Sequence, residues 1–169
     1  DAVNEMRRKV KRINKLTEDE LGFAIWRSPN PQLEAELNAL IGPLSSDPAA
    51  LTEPVLTLTK FLVDSINGRA INRALKGEEI DPNKHLANLS TVLEKNHMPA
   101  GWIQTLRDLQ GLRSRGGIAH IRNSETAKAF AAMGLKGLDS RDDFKLILFQ
   151  LNNALDQFFG EGVTEVDRN

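Results

Sequence analysis

The chain is 169 residues long, enough for one well-buried core and too short for two comfortable domains. Its 22 basic and 23 acidic residues nearly balance, which excludes a globally basic nucleic-acid coat and confines any nucleic-acid contact to a local patch. The absence of cysteine excludes disulfides, thiolate nucleophiles and cysteine-ligated zinc, and no apolar run approaches the ~20 residues that span a bilayer, so a cytoplasmic protein with no membrane partner is expected.

From Asn4 to Leu16 basic residues cluster around a thin apolar stripe of Val3, Met6, Val10 and Ile13, which predicts a basic amphipathic helix. Thr17 and Glu20 fit a capping box for a second helix through Trp26, and four prolines then divide the region into short pieces around Leu33 to Ile41. Residues 1–48 read as a helical appendage or linker, with a solvated face or a connection to another domain weighing more than nucleic-acid binding for its basic helix. A start at Asp1 rather than methionine is compatible with a piece of a longer protein, whose upstream domain would be a partner.

Residues 49–160 carry stronger signals. Leu51, Val55, Leu58, Leu62, Ile66, Ala70 and Ala74 recur at three- and four-residue steps, predicting one long helix near 50–76 that Gly77 ends. Apolar stripes predict further helices near 84–96, 100–115 and 140–159, with a short one over Ala127 to Met133, and residues 161–169 read as a polar tail. No sustained alternation of period two and no internal repeat is present, so the fold class is all-α, a bundle of four main helices plus a short one.

The segment Leu112-Arg113-Ser114-Arg115-Gly116-Gly117-Ile118-Ala119-His120 is the one that suggests chemistry. An arginine that stays charged and a histidine that titrates near neutrality can together position a phosphodiester and move a proton. Arg113 falls seven positions after Leu106 and four after Leu109, on the apolar stripe, whereas Arg115 points nearly the opposite way. An inward arginine asks for a carboxylate, a phosphate or a subunit interface, and Asp64 is the candidate carboxylate. One reading is a structural Arg113–Asp64 pair with His120 capping a helix; the other is a site for a polyanion, to which Arg107, Arg115 and Arg122 add local charge against Asp108. His85 and His97 read as surface or capping residues, Trp26 and Trp102 as core or interface anchors, and no metal or cofactor site is expected.

The arginine, the polar Ser114 and a histidine after six residues, set between two core helices, resemble the motif of the HEPN superfamily (higher eukaryotes and prokaryotes nucleotide-binding). The likeness covers about residues 49–159 and includes an upstream helix with Leu62-Val63-Asp64-Ser65-Ile66-Asn67; serine stands where the family more often has asparagine, aspartate or histidine. The resemblance implies a homodimeric, metal-independent endoribonuclease in stress response or defence, with both subunits' motifs at one cleft. Arg113 would clamp the scissile phosphate, His120 would act as general acid or base, and Asp64 and Ser114 would support them. The alternative is a noncatalytic helical module of a larger protein that dimerises, holds a protein partner or binds RNA.

Overall fold

Asp1 accepts hydrogen bonds from the backbone N–H groups of Val3 and Asn4 and so starts α1 (Ala2–Leu21). The structure is a computed structural model and describes residues 1–113 and 124–162. Its further helices are α2 (Pro31–Asn38), α3 (Thr52–Thr59), α4 (Gly68–Ala74), α5 (His85–Lys95), α6 (Ile103–Leu112), α7 (Ser124–Ala132) and α8 (Ser140–Phe158). A 3₁₀ turn over Pro48–Leu51 leads into α3, and a π-helical turn over Lys60–Asp64 follows it. Among the described residues the extended pairing is one isolated antiparallel bridge, Trp26 to Ile66, so the all-α bundle is the observed class.

The N-terminal region differs from its expected form. Thr17 does not cap a second helix: it is fully buried inside α1, and its hydroxyl donates to the Asn14 carbonyl. The helix ends instead at Gly22, which takes the left-handed conformation with φ 83° and donates to Glu18 O. Nor is α1 peripheral, because Val3, Met6, Val10 and Ile13 pack with Leu151, Leu155 and Phe158 of α8 in the same buried cluster as the rest of the protein. Several of its cations are engaged with carboxylates: Arg7 with Glu34, Lys9 with Glu5 and Asp156.

The helix expected over 50–76 is broken. The Thr59 hydroxyl donates to Val55 O at 2.6 Å, and the Ser65 hydroxyl reaches back five residues to Lys60 O at 2.7 Å, on either side of the π turn. The chain then turns at Ser65–Asn67, where the segment around Trp26 binds it: Arg27 N donates to Ser65 O and Asn67 N donates to Ile25 O, both at 2.8 Å. Asn67 caps α4, which buries Ala70 and Ile71, leaves Ala74 exposed and ends at the buried C-cap Leu75. The apolar spacing continued through the break because Ile66 is itself buried, at the bridge rather than on a helix.

Between these layers the two tryptophans meet, ring centroids 5.9 Å apart, and Trp102 also stands edge-on to Phe158. Both indole N–H groups are satisfied, Trp26 by Leu62 O and Trp102 by Pro99 O, each at 2.8 Å. Ile13→Ala is expected to lower stability by about 2–5 kcal/mol, since the side chain is fully buried against this core. A urea titration that shows an unchanged midpoint would restore α1 to the status of an appendage.

Candidate functional site

The side chains of α6 fall into two rows at steps of three. Ile103, Leu106, Leu109 and Leu112 form the buried row, each at most 1% exposed. Each is followed in sequence by a long polar residue, so Gln104, Arg107, Gln110 and Arg113 form a parallel row that runs out over the surface. Successive members rotate by about 60° and rise about 4.5 Å, which carries the row obliquely across the helix. Arg113 is the last, at the C-cap of α6, where a cation also complements the helix dipole.

Arg113 meets Asp64, with Nη1 donating to Oδ2 at 2.5 Å across 49 residues of sequence. Asp64 is the last residue of the π turn, and its carbonyl accepts from Arg27 Nη2 at 2.8 Å, so the carboxylate's backbone is held from the opposite side. The pair is half-exposed, with 30% of the Arg113 side chain and 45% of the Asp64 side chain open to solvent. It is therefore not a buried ion pair. The apolar-stripe reading of Arg113 is corrected to this extent: the stripe ends at Leu112, and Arg113 stands at its margin.

Two clefts flank the polar row. One, of about 580 Å³, lies toward α7 and is lined by the whole row together with Asp108 and Lys128. The other, of about 600 Å³, lies toward α5 and is lined by Arg107, Gln110, Asp64, Lys84 and His85. Arg107 and Gln110 belong to both, so the clefts adjoin across α6. The α7 side is set by a close contact of small residues, since a Cβ at Gly111 would lie 3.0 Å from that of Ala129. Arg107 is exposed, and its hydrogen bonds among the described residues are long, 3.5 Å to Gln104 Oε1 and to Ser90 Oγ.

Asp108 is the ionisable group of the site whose environment opposes its charge. Burial pushes its carboxyl above the ordinary value of 3.8, against the lowering effects of a hydrogen bond from Gln104 and the Arg107 guanidinium.

Of the residues singled out in the sequence, Arg113 and Asp64 come together and Arg107 stands on the same surface. His120, Ser114, Arg115 and Arg122 lie outside the described residues. Arg27, Lys84, His85, Gln110 and Lys128 were not marked by sequence reasoning as parts of this surface. The threefold alternation of leucine with glutamine or arginine along α6 was the available signal for Gln110. No family model matches the chain, and neither a curated protein nor a solved structure is similar to it.

The raised pKa of Asp108 has a signed consequence. Because the folded value exceeds the unfolded one, stability falls as pH rises through the window above 3.8 and the loss persists at neutrality. Asp108→Asn, which keeps an acceptor for Gln104, is expected to raise the melting temperature at pH 7. The gain should shrink toward zero below about pH 4, where both states are protonated. Melts that show the same gain at both pH values would assign the effect to something other than ionisation.

Proposed function

We propose that this protein is a HEPN-like, homodimeric, metal-independent endoribonuclease whose Arg113 clamps the scissile phosphate and whose His120 transfers the proton. The observation that carries this reading is the half-exposed Arg113, oriented by Asp64 through one N–H and lining a cleft with Arg107 and Lys128 that adjoins a second one lined by Asp64, Arg107 and Lys84. A guanidinium has five N–H donors, so one bond to Asp64 leaves others for phosphate oxygens. A half-exposed ion pair adds at most about 1 kcal/mol to stability, too little to account for the arrangement as a structural staple.

The chemistry requires few groups. The RNA 2′-oxygen attacks the adjacent phosphorus, the bond to the 5′-oxygen breaks, and the products are a 2′,3′-cyclic phosphate and a 5′-hydroxyl. An imidazole takes the proton from the 2′-hydroxyl or gives one to the departing oxygen, and Arg113 stabilises charge on the non-bridging oxygens. Ser114 would stand beside the clamp, and Arg107, Arg115 and Arg122 would hold the strand by its phosphates. A second subunit supplies the complementary acid or base, which is the reason for proposing a dimer.

RNA incubated with the protein in excess chelator should be cleaved, and activity should fall about 100-fold or more in Arg113→Ala and in His120→Ala. Arg115→Ala should keep much of it. Thermal melts accompany the Arg113 variant, because Asp64 then loses its partner. Equal loss in the Arg115 and Arg113 variants defeats the assignment. Neither cleavage nor binding of RNA by the wild-type protein replaces the proposal with a noncatalytic helical module. Sedimentation at micromolar concentration should show a dimer; a monomer alone would remove the composite site.

A further inference from the structure

The cleft between α5 and α6 holds a histidine that the sequence reading set aside. His85 is the first residue of α5, exposed to solvent, and shares the cleft with Lys84 beside it, Arg107 and Gln110 from α6, and Asp64. Its imidazole lies directly over Gly68, the first residue of α4: a Cβ there would be 2.7 Å from both Cε1 and Nε2. The missing side chain is thus what makes room for the ring. Gly68 is not held in a left-handed conformation, so close approach, rather than backbone geometry, is what its glycine serves.

The placement of the ring matters because of what lies across the cleft. Asp64, the one carboxylate lining it among the described residues, is engaged with Arg113, while Lys84 and Arg107 line the same space. From Arg107 the polar row of α6 leads through Gln110 to Arg113, about 9 Å along the helix axis. A strand whose scissile phosphate sits at Arg113 and whose chain crosses Gln110 therefore enters this second cleft.

We infer that Lys84 and His85 form a second phosphate-binding position of the site, which holds the backbone of a single RNA strand on the α5 side of Arg113. The inference rests on the ribonuclease reading above and adds to it the direction of the strand and two residues that hold it. His85 is a binding residue in this arrangement, and the proton transfer stays with the motif histidine.

The test uses the full chain and a short fluorescein-labelled 2′-O-methyl oligoribonucleotide, whose blocked 2′-oxygen prevents cleavage. Lys84→Ala should bind several-fold more weakly at moderate salt, with the slope of log affinity against log salt smaller by about 0.7, as for one lost phosphate contact to a single strand. His85→Ala should also weaken binding. The decisive variant is Gly68→Ala, which changes no charge, favours helix at its position, and displaces the imidazole by the contact of its Cβ. It should reproduce the affinity loss of His85→Ala with a melting temperature no lower than that of the wild type. If the wild-type protein binds and cleaves RNA while the Lys84 and His85 variants keep its affinity and salt slope, the second position is overturned and the ribonuclease reading stands. A Gly68→Ala protein that binds as tightly as wild type overturns the placement of the ring as a contact. Failure of the wild-type protein both to bind this oligoribonucleotide and to bind or cleave its unmodified counterpart overturns both, whereas cleavage of the unmodified strand without binding of the methylated one overturns the second position alone.

Discussion

Trp26 is the point on which the arrangement of the helices depends. Its backbone N–H and carbonyl are both paired by the side-chain amide of Asn14 on α1, at 3.0 and 2.9 Å. Its indole N–H donates to Leu62 O inside the π turn, and its backbone stands opposite Ile66 in the bridge. Ile66 N donates to Val63 O, so the Leu62 carbonyl is left to the indole rather than to the next helical turn. Buried polar groups that lose a partner cost about 1–3 kcal/mol each, and here α1 and the π turn share one residue's hydrogen bonds while its two neighbours make those of the bridge. The break after α3 is thus a tertiary construction, held by Trp26 and Arg27 through side-chain bonds that reach 36 to 38 positions along the sequence.

What the break accomplishes is to present Asp64. A π turn adds a residue to a helical turn and re-aims the side chains that follow, and such turns recur at functional positions. Asp64 ends the turn with its carbonyl bound by Arg27, the residue after Trp26, and its carboxylate bound by Arg113. The N-terminal segment, the π turn and the end of α6 are in this way joined at one half-exposed ion pair. The pair gains little from Coulomb attraction in so wet a setting, so its geometry is owed to the neighbours that fix its two backbones.

The helices α5, α6 and α8 were legible because each carries an uninterrupted apolar stripe on one face, and their ends fall close to the expected positions. The same rule misread residues 50–76, since a buried Ile66 fits a helical stripe as well as it fits a bridge. It did find α1, whose stripe of Val3, Met6, Val10 and Ile13 is almost wholly buried, but gave no sign that this stripe packs into the same core as α8. The Arg113–Asp64 contact was legible from a different rule, that an arginine on an apolar stripe asks for a carboxylate, a phosphate or an interface, and the carboxylate is met although Arg113 stands at the margin of the stripe. Lys84, His85 and Lys128 were not legible, because no local pattern announces which loops and helices will face α6. Gly68 shows the limit clearly: its role is defined by a histidine seventeen residues later, and a lone glycine at the start of a short helix says nothing of that neighbour.

The two rows of α6 couple the core to the surface. A helix is stiff over ten residues, so the leucine row, packed without exposure, fixes the axial position and rotation of the polar row. The spacing of Arg107 and Arg113 then follows from helix geometry and needs no support from solvent-side contacts, which for Arg107 are long and weak. The walls on either side are set separately: α7 approaches through the Gly111–Ala129 contact, and the first turn of α5 approaches through His85 over Gly68. On the α7 side the absent Cβ of Gly111 lets Ala129 come close to α6, whereas the absent Cβ of Gly68, in α4, makes room for the His85 ring alone. The approach of α7 to the surface that α6 presents is therefore set by one backbone position, while the charge of that surface is set by side chains that the core itself holds in register.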